Sequence, residues 1–266
     1  METENNVGGV KSNLGTPIAI VIAGIIIAGA MYFSDGSKTN NPVDTKPLVQ
    51  ASSLEKVREI SAEDHIRGNP NAKIVIVEYS DTECPFCVRL HQTMKQVMDQ
   101  YGKTGEVAWV YRHFPLDQLH PKARNEAAAL ECAGELGGND KFWAYTDRIY
   151  EITPANNGLD VAELPKIAEH VGLDVVKFNS CLNSGKYSAK VQQDVQNAQD
   201  TGGNGTPWNI VVLKEKMSSS QEKSLTDYIK QNGLQENMSI SGDKAKVSIS
   251  GALPLVMFQK IIDILK

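Results

Sequence analysis

The feature that most constrains this chain is Cys84-Pro85-Phe86-Cys87, set between a β-branched run at 74–80 (IVIVEYS) and a stretch of helical periodicity at 85–101. Two cysteines three residues apart on a helix present both sulfurs on one face, a turn apart. They come close enough to bond only at a helix start, where the first can swing outward. Cys84 then meets the free N–H groups and positive dipole end of the helix, which favour its thiolate, the reactive form. Cys87, one turn deeper, is placed to attack a mixed disulfide formed on Cys84. Pro85 suits the first helical position, where no N–H donor is needed. A bare CxxC is a modest signal, but strand–CxxC–helix outside the cytoplasm is a specific one.

The compartment is read from the start of the chain. No charged residue occurs between Ser12 and Ser34, and residues 17–33 read PIAIVIAGIIIAGAMYF. That length is at the short end of what a spanning helix needs, and Tyr32 and Phe33 close it with side chains suited to the membrane interface. Residues 1–16 are a short N-terminal tail and 17–33 a single transmembrane anchor. The alternative is a cleaved signal peptide ending near Ala28-Gly29-Ala30, but Lys11 stands against Glu2 and Glu4, a weakly basic start for one. Residues 34–53 are polar with two prolines and read as a tether, so the folded domain spans 54–266. Both readings put its bulk on the extracytoplasmic side, in the first case attached to the cell membrane by a single pass.

Within 54–266 the patterns predict strands at 74–80, 107–114, 210–213 and 246–250. Helices are expected at 85–101, 121–136 (ending at Gly137-Gly138), 141–152, 160–171, 174–183, 186–200 and 253–265. Asp160 with Glu163, and Ser219 with Glu222, have capping-box spacing. The order is strand–helix–strand, a block of helices, then strand–strand–helix.

Three segments now stand together: EYSDTECPFC at 78–87, YRHFPL at 111–116 and GTPW at 205–208, with GALP at 251–254 a weaker fourth. On these the chain resembles the DsbA-like branch of the thioredoxin superfamily over roughly residues 61–266, in a membrane-anchored bacterial form. The resemblance implies an α/β thioredoxin fold with an inserted helical domain, here about 117–185, and thiol–disulfide exchange as the activity. It also implies that Pro207 is a cis-proline packed beside the active-site cysteines. The backbone at Thr206, just before it, would pair with an extended substrate segment, with Pro85 and Phe86 lining the same surface. Glu78, six residues before Cys84, corresponds to a buried acid that moves protons in this family; a buried carboxyl tends toward a raised pKa. The other reading of Glu78 is an outward, solvated side chain.

Cys132 and Cys181 lie in the helical block, 49 positions apart. Two remaining cysteines in an oxidising compartment usually pair, so a structural disulfide is expected; a relay pair or two free thiols are the alternatives.

Other chemistries find little support. Cys87 and His91 are a turn apart, but no fourth ligand accompanies them, so no metal is expected. Covalent haem attachment needs CxxCH, and position 88 is Val. Nothing resembles a phosphate loop, and a net charge of −5 argues against a nucleic-acid partner. No diffusible cofactor is required, because the disulfide itself carries electrons. The 41% hydrophobic and 22% charged content fits a folded chain rather than a disordered one. The partners this implies are cysteine-containing secreted proteins and a membrane redox partner of the quinone-linked oxidase type. The rival functions are a membrane-tethered reductase or isomerase and, in a different class, a non-catalytic substrate-binding or chaperone module.

Two features depart from the family pattern. About thirty residues, 214–245, separate the last two strands, and Leu225, Tyr228 and Ile229 predict an extra helix there. Phe86 stands where DsbA itself has His, and Asp81 and Glu83 are expected to oppose a thiolate at Cys84. Trp208, next to Pro207, is a core candidate that could instead edge the substrate groove.

Overall fold

A computed structural model describes residues 53–266. The tail, the anchor at 17–33 and all but the last residue of the tether lie outside the described residues. Among the described residues no helix is long and apolar enough to cross a membrane.

The centre of the sheet is built from two largely apolar strands. β2 (Ile74–Ser80) and β3 (Val107–His113) are buried along their whole length and pair in parallel. Continuous apolar runs of this kind belong to strands covered on both faces. β1 (His65–Gly68) joins β3 antiparallel, and β4 (Trp208–Leu213) joins β2 antiparallel. β6 (Lys246–Ser250) and β5 (Met238–Ile240) complete the order β1-β3-β2-β4-β6-β5.

The period of two along the strands sorts side chains between two cores. Ile74, Ile76, Trp109, Tyr111, Val211 and Val247 face the larger one. It is closed by α1 (Pro85–Val97), α2 (Ala123–Ile152) and α7 (Leu255–Leu265), which supplies Phe258, Ile261, Ile262 and Leu265. Side chains of that size are worth roughly 2 kcal/mol each on burial. Val75, Val77, Tyr79, Ala108, Val110 and Trp208 face the smaller core, covered by Val195 and Ala198 of α5 (Ser188–Asp200). Trp208 is therefore in the core, its indole N–H donating to Thr201 at 3.1 Å, and does not edge the groove.

α2, α3 (Glu163–His170) and α4 (Val175–Asn183) form the helical block between β3 and α5. The two helices expected at 121–136 and 141–152 follow one another within α2, separated by a backbone break at Gly138 (φ 74°, ψ −171°). That conformation is open only to glycine, which is why the Gly-Gly pair marks the bend. Asp174 caps α4 by accepting the N–H groups of Val176 and Lys177.

The expected capping boxes are corrected. Asp160 accepts the Ala162 N–H before α3 begins, so no box forms with Glu163. In the 214–245 segment the box is Ser218 with Gln221, one residue earlier than expected, and opens α6 (Ser219–Gln231). Ser218 has the extended backbone of a cap (φ −66°, ψ 160°), which Ser219, already helical, lacks. The helix expected to run to 101 is α-helical only to Val97 and finishes as a π turn over Met98–Gly102.

Candidate active site

The site forms where β2 ends, α1 begins and the loop before β4 crosses above them. Cys84 is the N-cap of α1 in extended conformation (φ −80°, ψ 121°), with Pro85 at the first helical position. Its carbonyl already accepts the N–H groups of Cys87 and Val88. The Thr206–Pro207 bond is cis, and the Cys84 sulfur lies 3.4 Å from the Thr206 carbonyl oxygen. The turn leading there needs Gly203, where a Cβ would come within 2.9 Å of the Trp208 ring. Phe86 is half exposed beside the cysteines, with the Arg89 guanidinium 4.8 Å from its ring centre.

Cys84 and Cys87 are free thiols in unequal environments. The Cys87 thiol beside Cys84 does most to hold it down, from 9.0 to about 6, against desolvation; Thr206 and the N–H groups of Cys87 and Phe86 add to the effect. Cys87 is fully buried, and burial together with Cys84 pushes it well above the usual thiol range. The pair is thus split into an exchange-ready sulfur and a sulfur that strongly prefers its proton.

Asp81 and Glu83, expected to oppose the Cys84 thiolate, are engaged elsewhere. Asp81 pairs with His120 at 2.9 Å and accepts the N–H groups of Glu83 and Leu116. Glu83 accepts the N–H groups of Gly158 and Leu159, both at 3.2 Å, while its carbonyl accepts Asn156. This ties the residue before Cys84 to the 155–157 turn, where Ala155, Asn156 and Asn157 all have positive φ.

Glu78 is buried, not solvated. Its carboxyl accepts the Ser80 hydroxyl at 2.6 Å and the Trp109 indole N–H at 2.9 Å. Burial outweighs both hydrogen bonds and raises its pKa to about 7. The Ser80 hydroxyl also lies 2.8 Å from the Tyr150 hydroxyl, which is 3.0 Å from that of Tyr111. Ser80 and Tyr111 carry a signal in the sequence, since Ser80 shares the Glu78 face of β2 by alternation and Tyr111 pairs with Glu78 in register. Tyr150 arrives from the helical block, and no spacing rule links it to Glu78.

Cys132 and Cys181 are joined by a disulfide, α2 to α4, and stand apart from the CPFC pair. His91 pairs with Asp147 at 2.7 Å and stacks on Tyr150. Among the described residues no group of three or more His, Cys, Asp or Glu is arranged to hold a metal ion.

Comparison with known proteins places the fold. The fold is similar to that of Wolbachia pipientis alpha-DsbA1 (TM-score 0.60, 22% identity, 80% of this chain and 95% of that one). It is also similar to Salmonella enterica Typhimurium BcfH (TM-score 0.62, 15% identity, 94% and 89%). A third similar structure is the thiol-disulfide exchange protein alpha-DsbA2 of Wolbachia pipientis (TM-score 0.57, 17% identity, 81% and 95%). By sequence, the chain is 31% identical over 187 residues to the Na(+)/H(+) antiporter NhaA 1 of Mycolicibacterium gilvum, which is 69% of this chain and 29% of that one. The chain thus spans under a third of the curated relatives it matches. Residues 61–231, well over half of the chain, match the family profile described as Thioredoxin. With its CPFC pair at a strand–helix junction under a cis-proline loop, the chain belongs to the thioredoxin family.

Proposed function

We propose that the chain is an extracytoplasmic thiol–disulfide oxidoreductase that oxidises cysteine pairs in secreted proteins through a Cys84–Cys87 disulfide. The observation that carries the reading is the split between the two sulfurs, Cys84 held near 6 and Cys87 pushed well up. A thiolate stabilised in the reduced enzyme makes the dithiol the favoured state and the disulfide a good oxidant. The alpha-DsbA2 neighbour, described as a thiol-disulfide exchange protein, supports the same chemistry.

The steps follow from the geometry. A substrate thiolate attacks the Cys84 sulfur, the Cys84–Cys87 bond breaks, and Cys87 departs and takes a proton. A second substrate thiolate then attacks its own partner sulfur in the mixed disulfide and expels Cys84, a good leaving group because of its low pKa. Two electrons have passed to the enzyme pair and the substrate holds a disulfide. Thr206 and Pro207, with Pro85 and Phe86, form the surface for an extended substrate segment, which would add alongside the Thr206 backbone. Glu78 serves proton transfer at Cys87. A membrane redox partner of the quinone-linked oxidase type would restore the disulfide, with residues 17–33 holding the domain at the cell membrane. The antiport named for the curated relatives is no part of the proposal, because the chain spans only 29% of their length.

The test is oxidation of a reduced two-cysteine peptide by the oxidised chain. Cys84→Ser and Cys87→Ser should each abolish it, since neither can hold the Cys84–Cys87 disulfide. Cys87→Ser offered a disulfide-bonded peptide should trap a mixed disulfide on Cys84, the released peptide thiolate being the leaving group. A chain whose peptide-holding activity survives replacement of both cysteines by Ser, with no oxidation by the native protein, would instead be a binding module.

A further inference from the structure

The exchange reading leaves a proton unaccounted for. When Cys87 departs from the disulfide it becomes a thiolate at a site with no exposure, and Glu78, the carboxyl that acts on it electrostatically, is equally closed to water. Glu78 has two side-chain contacts, the Trp109 indole N–H and the Ser80 hydroxyl. An indole N–H only donates, so it anchors the carboxyl but cannot pass a proton on; a hydroxyl donates and accepts together. Among the described residues no ion pair involves Glu78, so no cation holds it permanently ionised.

We propose that Ser80 is the proton relay between Glu78 and Cys87, oriented by the Tyr150 hydroxyl from the inserted helices. The proposal rests on the exchange reading above and deepens it. Three placements support it. Alternation along β2 puts Glu78 and Ser80 on the face that meets α1. The N–H of Asp81, the next residue, reaches the Cys87 sulfur at 3.5 Å, which brings the end of β2 against that sulfur. The Ser80 hydroxyl already donates to the Glu78 carboxyl at 2.6 Å, so it holds the acid's end of the path. Tyr150, at 2.8 Å, is held in turn by Tyr111 at 3.0 Å and by the stacked His91 ring.

The transfer balances without another reactant. Protonated Glu78 gives its proton to the Ser80 oxygen as Ser80 gives its own to the Cys87 thiolate. Glu78 ends as carboxylate, Cys87 as thiol and Ser80 unchanged. With Glu78 ionised, Ser80 donates to it and accepts from Tyr150, whose hydroxyl accepts from Tyr111, so the same four groups satisfy both charge states. The titratable groups facing Glu78 are Cys84 and Cys87 from α1, Tyr111 from β3 and Tyr150 from α2. The His91–Asp147 pair lies beyond Tyr150.

The experiment is single-turnover oxidation of a reduced dithiol peptide by the oxidised full chain, followed by tryptophan fluorescence over roughly pH 5 to 9. Ser80→Ala should slow Cys87 departure by on the order of 10²-fold near neutral pH, the scale of a positioned acid–base group. The inflection that Glu78 imposes should vanish from its pH profile, while the alkylation profile of Cys84 in the reduced chain stays as in the native protein. Ser80→Thr should restore most of the rate, and Tyr150→Phe should fall between. A Ser80→Ala variant with the native rate and pH profile overturns the relay and leaves the exchange reading standing. So does one whose rate falls equally at every pH in step with its melting temperature, because the hydroxyl is then structural. A native chain that oxidises nothing removes the exchange reading and the relay together.

Discussion

The Cys84 sulfur lies 3.4 Å from the carbonyl oxygen of Thr206, the residue before the cis-proline. This contact brings together two segments more than a hundred residues apart and defines where a substrate sulfur must arrive. Behind it, Cys87 and Glu78 are sealed from solvent. Cys84, by contrast, lies beneath the Thr206 loop and next to the half-exposed Phe86.

The first prediction concerns the thiolate. Cys84 should titrate near pH 6, read by thiolate absorbance or by the pH dependence of alkylation. Its folded pKa is depressed below the 9.0 of an unperturbed thiol, so its contribution to the reduced fold is fully present above pH 9 and lost as pH falls through about 6. Unfolding curves of the reduced and oxidised forms should diverge in favour of the reduced form as pH rises through that window. Curves that keep a constant separation would contradict the assignment.

Glu78 has the opposite sign. Its folded pKa is raised from 4.5 to about 7, so ionisation works against the fold as pH climbs between those values. Glu78→Gln should match the native stability below about pH 4 and exceed it by about 2–3 kcal/mol above pH 7, while peptide oxidation slows. Denaturant titrations at the two pH extremes check this. A variant no more stable at high pH than at low pH would place the charge elsewhere.

On the far face of the sheet, Arg112 is fully buried and joins β3 to the segment before β1. It makes two bonds to Asp64, at 2.8 and 3.0 Å, and one to the Tyr79 hydroxyl at 3.0 Å. Arg112→Ala removes the buried partner of Asp64, which keeps only Arg58 at 3.2 Å and the Ser61 N–H, and should cost about 3 kcal/mol without changing the Cys84 alkylation profile. A loss below 1 kcal/mol in urea unfolding would show that water replaces the guanidinium.

The second disulfide is assigned to stability alone. Replacing Cys132 and Cys181 together by Ala should cost about 4 kcal/mol on the loop-closure relation for a separation of 49 residues. Peptide oxidation at a temperature where both proteins are folded should be unchanged. A large loss of rate under those conditions would mean that the bridge takes part in electron transfer.

Much of this site is legible in the sequence because its chemistry is concentrated in contiguous motifs. CPFC announces its own strand–helix junction, and Thr206-Pro207 follows a glycine-rich turn whose purpose is local. The alternation of IVIVEYS forces Glu78 to one face, but only the structure gives that face a buried environment. β1 escapes sequence reading because HIRG offers only Ile66 as an apolar residue. Its place is set by pairing with β3 and by the 2.8 Å bond from Arg67 to Asp147 on α2. β5 is three residues long and exists through its partner β6. The Glu78–Ser80–Tyr150 chain is hidden for a related reason. Its last link joins residues 70 positions apart, and no periodicity records such a contact.

The most direct test of the account is the reduction potential of the Cys84–Cys87 pair in the full chain, measured against a glutathione buffer. A thiolate held near pH 6 predicts a value on the oxidising side, approaching the roughly −120 mV of DsbA. A value near the roughly −270 mV of thioredoxin would mean that the pair donates electrons, and the oxidising role would have to be abandoned.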